Sequence, residues 1–269
     1  MSDTVLLERR DDGVAVITLN RPERLNAITD ELVRTLHDRL DEAAADLGCR
    51  AVVMTGAGRG FCAGFDLKSD LADDISETRD DVSTSYRQQQ RWSALVAHVR
   101  SLRPPVIAAV NGPAAGGGFA LAAAADLRVI STTATFLVAN VKIGLSGGEF
   151  GLSYTLPRIL GTGRAAELLY TGRRLDAVEA DRWGFANRLV EPDELLPTAF
   201  ELAGQLAANS AFAVALTKEM FLLAVDSPSL EHTLVLENRT QTLASRSGDI
   251  AEAIAAFREK RPPQFGDAT

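Results

Sequence analysis

The chain has 269 residues, 46% of them hydrophobic and 24% charged, which suits one large globular domain or a core with an appendage and is too balanced for disorder. A formal net charge of −8 argues against general binding to nucleic acid or to an anionic membrane. It leaves room for an anionic small molecule held by a few local basic groups. In chain order, "GVAVITLN" (residues 13–20) alternates, is rich in β-branched residues and stops at "RPE", so it reads as a strand and a turn. Thr29 or Asp30 can cap a helix that carries Leu32, Leu36 and Leu40 on one face, with His37 as a solvated flank residue. "RAVVMTG" is a short buried strand, followed by "GAGRGFCAGFDL". Residues 68–81 are polar and acidic and read as a surface loop. A helix is expected to resume near Tyr86 and run through Trp92 to Arg100, with His98 near its end. "RPPVIAAVNG", "DLRVIS" and "ATFLVA" read as three more strands. After Pro192, residues 195–208, 211–224, 230–245 and 249–260 are helical in pattern, the last with an Asp249-x-x-Glu252 cap. Strand–turn–helix units alternate to about residue 190 and helices dominate after it. The expected fold class is α/β, with a core over residues 1–195 and a helical C-terminal region over 196–269.

Cys49 and Cys62 sit in apolar surroundings and read as buried free thiols in a reducing compartment rather than a disulfide. Residues 1–12 are charged, unlike a secretory signal, and no apolar run is long and uninterrupted enough to cross a bilayer. The cytoplasm is the expected location.

Two glycine-rich turns share one local grammar. "AVVMTG" leads into "AGRGFCAGFDL", and "VIAAVNG" leads into "PAAGGGFALAAAAD": a buried strand, a bend, then an expected helix start. Glycine lets another group approach the backbone N–H closely, and an N–H at a helix N-terminus is unpaired and carries partial positive charge. Side by side, such turns could offer two donors to one oxygen, an oxyanion hole; the alternative is that the glycines serve close helix–strand packing. A dinucleotide reading of "GAGRGF" is weak, because the spacing is imperfect and the acids that follow lie in a polar loop. No Cys/His set has metal-ligand spacing, and no serine sits in a nucleophile elbow.

Together, "LNRPERLNAI", "GRGFCAGFDL", "RPPVIAAVNGPAAGGGFALAAAADLRV", "GLSYTLPRILG", "AELLYTGRRLDAVEADRWGFANRLV" and "AFREKRPPQF" resemble, in this order, the crotonase superfamily, also called the enoyl-CoA hydratase/isomerase family. The resemblance implies a spiral of ββα units with a helical C-terminal trimerisation region, assembly as a homotrimer or a hexamer built as a dimer of trimers, and an acyl-CoA thioester as substrate with no metal or redox cofactor. It places Phe65 and Gly117 at the two oxyanion-hole N–H groups. Asp66 matches an acid beside the hole, a structural anchor more than a base. The strip over residues 21–27, with Arg24 and Leu25, and the segment with Ala63 and Leu67 match the CoA-contacting surface. Phe257 and Lys260 match C-terminal residues that approach CoA phosphates, sometimes from a neighbouring subunit, and Asp126 matches an acid buried for structure.

The chain departs from the hydratase pattern at both glutamates. The first, two residues after the glycine triplet, is Ala120, and the second, four residues before the glycine of "IGL", is Asn140. Loss of one acid–base group costs about 10²- to 10⁴-fold. Glu149, in "GLSGGEFGLSYTLPR", is the best substitute, falling within about one residue of a catalytic aspartate used by some isomerases and dehalogenases of the family; the alternative is a solvated loop acid. A single carboxylate suits a 1,3-proton shift, so double-bond isomerisation is expected over hydration. The other readings are a hydratase that positions water with Glu149 or the Asp70–Glu77 loop, and an inactive binder of CoA thioesters. Tyr154 reads as packing, and His232 as an interface or surface residue.

Overall fold

The computed structural model describes residues 3–66 and 82–266. Strands β1 (Val5–Arg9), β2 (Val14–Leu19), β3 (Ala51–Gly56), β4 (Val106–Val110), β6 (Leu127–Ser131) and β9 (Arg188–Val190) form a six-stranded sheet in the order β1-β2-β3-β4-β6-β9. The β1–β2 pair is antiparallel and every other neighbour in this sheet is parallel. Parallel strands need both faces covered, and the sequence supplies both. Val52 and Met54 of β3, with Val106, Ala108 and Val110 of β4, enter the main core. The alternate residues Ala51, Val53, Ile107 and Ala109 enter a second core on the other face, packed against Leu195, Ala199 and Ala203. The continuous apolar runs of β3 and β4 are therefore two interleaved period-2 faces.

A second, three-stranded sheet runs β5 (Pro113–Ala115), β7 (Thr135–Leu137) and β8 (Arg174–Asp176). The chain alternates between the sheets: β4, then β5, then helix α3 (Gly117–Ala124); β6, then β7, then a 3-10 turn at Asn140–Ile143. β3 follows the same rule in shortened form, since Cys62 pairs with Ala114 in a single parallel bridge. This is the expected spiral of ββα units. Over it lie α1 (Asp30–Ala45) and α2 (Val82–Ser101), with α4 (Leu152–Leu160), α5 (Thr162–Thr171) and α6 (Ala177–Arg182) beyond. The last four helices are α7 (Leu195–Ala207), α8 (Ala211–Val225), α9 (Leu230–Ala244) and α10 (Asp249–Glu259). Among the described residues no single helix is long and apolar enough to cross a membrane.

Several local expectations hold with their stated cause. Thr29 is the N-cap of α1, its hydroxyl accepting from the Leu32 N–H at 3.2 Å, and Leu32, Leu36 and Leu40 are fully buried. Asp126 is a structural acid, accepting from the Val106 N–H and from Lys218 Nζ, both at 2.7 Å. Two expectations are corrected. His37 is not a solvated flank: it stacks on His98, Nδ1 to Nδ1 at 2.7 Å, where α1 meets α2. α10 has no side-chain cap at its start, because the cap position is Gly248 and Asp249 is already inside the helix; Asp249 accepts from the Ser210 hydroxyl and Glu252 pairs with Arg261. The strand Val5–Arg9 lay in a segment whose charge hid its pairing to β2.

Candidate active site

The two glycine-rich turns meet. The Ala115 N–H donates to Cys62 O at 3.0 Å and the Cys62 N–H to Pro113 O at 3.2 Å. Gly64 has a φ of +82°, and a Cβ there would lie 2.6 Å from the Ala115 carbonyl oxygen; only glycine allows both the turn and the approach. Two side-chain amides, one buried and one half-buried, brace the first turn. Asn26 Nδ2 donates to the carbonyls of Ala57 and Gly60 at 3.0 and 2.8 Å. Asn111 Nδ2 donates to those of Gly56 and Gly58 at 2.8 and 2.9 Å. These asparagines carry the turn's shape, and the sequence alone gave no sign of it beyond their place beside glycines.

The orientation of Phe65 follows from its neighbours. The Ile28 N–H donates to Gly64 O at 2.7 Å and Ile28 O accepts from the Asp66 N–H at 3.1 Å. In a parallel bridge this pattern turns the N–H and C=O of the residue between them, Phe65, to the opposite side. Gly117 is the first residue of α3 and lacks an intrahelical acceptor by position. Among the described residues, neither the Phe65 nor the Gly117 N–H has a backbone acceptor. Both residues line one cavity of about 70 Å³, with Ile28, Trp92, Asn140, Ile143, Glu149 and Phe150 among the other walls. A Cβ on Gly117 would lie 2.6 Å from Ile28 Cδ1 and 3.6 Å from the Phe150 ring, both cavity walls. The bare backbone of Gly116 and Gly117 therefore lines the cavity, whereas Gly118 packs against Cys62.

Glu149 is in the cavity wall rather than in solvent. Gln89 Nε2 of α2 donates to its Oε1 at 3.4 Å, and Asn140 Nδ2 donates to its Oε2. Burial pushes the Glu149 carboxyl above its ordinary value, opposed in part by the Gln89 bond. It is the only titratable side chain among the described residues lining this cavity. Ala120 is buried in α3 and does not line it, whereas Asn140 does. Gln89, Trp92 and Phe150 were not foreseen. Trp92 packs on Phe65 with ring centroids 5.1 Å apart and donates its Nε1–H to Asp30 at 2.6 Å. Phe150, at φ +47°, closes the side next to Gly117.

Asp66 is buried and accepts from Arg21 Nη2 at 2.9 Å, while Arg21 Nη1 donates to Ala27 O at 2.5 Å. The pair ties residues 21–27 to the first turn. Leu25 O accepts from the Ala63 N–H at 2.9 Å, so Leu25 and Ala63 lie side by side, and Arg24 next to Leu25 is exposed. Phe257 is 85% exposed and Lys260 is also exposed; neither lines the cavity within this chain. Leu67 and the Asp70–Glu77 loop lie outside the described residues. Cys62 is buried and its thiol pushed up to about 12 by desolvation, so it is no nucleophile. Tyr154 donates its hydroxyl to Asp226 and stacks under Arg158, which is 3.6 Å from the ring centroid. Among the described residues no group of three or more His, Cys, Asp or Glu could hold a metal.

Two interlocked sheets on a ββα spiral, with glycine turns meeting over a small cavity, define a crotonase-fold protein. The family model described as enoyl-CoA hydratase/isomerase matches residues 9–268, and the chain belongs to that family. It is 40% identical over 98% of its length to 93% of a probable enoyl-CoA hydratase, EchA12, of Mycobacterium tuberculosis. It is 38% identical to 1,2-epoxyphenylacetyl-CoA isomerase of Escherichia coli, covering 97% of each chain. The crystal structure of a probable enoyl-CoA hydratase/isomerase from Mycobacterium abscessus superposes with a TM-score of 0.88 at 37% identity, over 99% of this chain and all of that one. Hydratase and isomerase names both occur among these relatives.

Proposed function

We propose that the protein moves a double bond within an enoyl-CoA by a 1,3-proton shift, with the N–H groups of Phe65 and Gly117 as the oxyanion hole and Glu149 as the base. The observation that carries the reading is the inventory of the cavity. Two backbone N–H groups without backbone acceptors belong to residues that line it, and one carboxyl is the sole titratable group in its described wall. Removing a proton next to a thioester puts negative charge on the thioester oxygen. Donors held at that oxygen stabilise the enolate more than the neutral ground state, each by about 3–4 kcal/mol. The carboxylate accepts the proton from one carbon and, as the acid, returns it two carbons away. No second acid–base group is required. Syn-hydration needs groups that both hold water and deliver a proton to carbon. Ala120, buried away from the cavity, and Asn140, which does not titrate, supply neither.

In this reading Arg24, Leu25, Ala63, Asp66 and Leu67 form or support the CoA-binding strip, and Phe257 and Lys260 meet CoA phosphates across a subunit boundary in a trimer or dimer of trimers. Turnover uses no cofactor beyond the CoA of the substrate. Conversion of 3-enoyl-CoA to 2-enoyl-CoA, followed by the rise in conjugated-thioester absorbance, tests the proposal. Glu149→Gln should abolish it while CoA-thioester binding survives. Hydration of crotonyl-CoA at a comparable rate would replace this reading with a hydratase. Binding without deuterium wash-in from heavy water would leave only a binding protein.

A further inference from the structure

The two polar atoms of the Asn140 side chain have different fates. The residue is 7% exposed. Nδ2 donates to the Glu149 carboxylate, whereas Oδ1 is buried with no hydrogen-bond partner. Asn140 lines the cavity, and a Cβ placed on Gly116, another of its walls, would be 3.3 Å from Oδ1. A buried acceptor left unpaired is costly and calls for a state in which it is used.

Glu149 supplies such a state. The groups facing it are Gln89 from α2, Asn140 from the 3-10 turn, and the apolar walls Ile28, Trp92, Ile143 and Phe150. No other charged side chain lines the cavity among the described residues, and Asp30, behind Trp92, is engaged by Trp92 Nε1 and Gln88 Nε2. A base that carries a proton between two carbons is ionised before abstraction and protonated after it. The carboxylate can only accept hydrogen bonds; the acid must place an O–H. A primary amide offers a donor and an acceptor on one planar group, exchanged by a half-turn about its Cβ–Cγ bond. A second carboxylate at residue 140 would instead repel the ionised base.

We propose that Asn140 is a positioning residue that holds Glu149 in both of its protonation states, Nδ2 donating to the carboxylate and Oδ1, after a half-turn of the amide, accepting from the carboxylic acid. The proton itself passes only between substrate carbon and Glu149 and back. The amide exchanges none. This rests on Glu149 being the base, and it assigns a use to the residue that stands where hydratases carry glutamate.

The test is the pH dependence of kcat/KM for 3-enoyl-CoA isomerisation in Asn140→Asp and Asn140→Leu, with Glu149→Gln in parallel. Asn140→Asp, nearly isosteric, should move the acid limb upward by about one pH unit or more. Asn140→Leu should lower kcat by about 10- to 100-fold with KM little changed, since a charge-assisted bond is lost only at the reacting group. A purely structural asparagine would change melting temperature in Asn140→Leu and leave its kcat and pH midpoint in place, since leucine brings no charge of its own to Glu149. If Glu149→Gln is inactive while Asn140→Leu keeps the wild-type kcat and pH midpoint, the base stands and the role of Asn140 is overturned. If Glu149→Gln turns over at the native rate, the base assignment fails, and this inference with it.

Discussion

Gly117→Ala separates packing from chemistry at the centre of the site. The new methyl would begin 2.6 Å from Ile28 Cδ1 and 3.6 Å from the Phe150 ring. Overpacking of this kind costs about 1–3 kcal/mol. The methyl would also narrow a cavity of only about 70 Å³, whose walls include Gly117, Ile28 and Phe150. A thioester oxygen would then lose its close approach to one N–H donor, worth about 10²- to 10³-fold in kcat. Ile28→Val removes the clashing Cδ1 at a cost of about 0.5–1.5 kcal/mol by itself. In the double variant the closest remaining contact of the methyl is ordinary van der Waals distance to Phe150. Urea unfolding and isomerase rate should therefore diverge. Gly117→Ala loses both stability and activity; adding Ile28→Val restores most of the stability and none of the rate. Recovery of stability and rate together would show that Gly117 is a packing glycine and refute the argument.

Three further outcomes follow from the same contacts. Glu149 has a folded-state carboxyl pKa above its ordinary 4.5, so its contribution to stability is full below about pH 4.5 and is lost as pH rises through the raised value. Glu149→Gln should then be more stable than wild type at pH 7–8, with the difference closing below about pH 4.5, as read by melting temperature across pH. Asp66→Ala leaves Arg21 without its partner in a largely buried pair and should destabilise the fold by roughly 3–5 kcal/mol, measured by denaturant unfolding. Both cysteines are buried free thiols, and neither should react with an aromatic disulfide reagent at pH 8 until denaturant is added.

The spiral was legible because its signals are local. The runs in β3 and β4, the Thr29 cap and the two glycine bends each specify themselves within a few residues. Phe65 and Gly117 were legible as a pair through the repeated strand–bend grammar and the family motifs, and Glu149 through its place in a glycine-rich loop. What the sequence hid is non-local. His37 finds His98 61 residues away, Gln89 finds Glu149 60 residues away, and Trp92 reaches Asp30 across two helices. Nothing near any of these residues encodes its partner. Asp249 shows the converse: its spacing to Glu252 has the form of a cap, but the helix begins one residue earlier than that pattern requires, with Gly248 at the cap position.

The most direct measurement is a crystal structure with a non-hydrolysable acyl-CoA analogue bound. The acyl oxygen should lie about 2.7–3.1 Å from both the Phe65 and the Gly117 nitrogens, with a Glu149 oxygen on the side of the α and γ carbons. An acyl oxygen bonded to neither amide, with the chain lodged outside the cavity walled by Ile28, Trp92 and Phe150, would contradict the account.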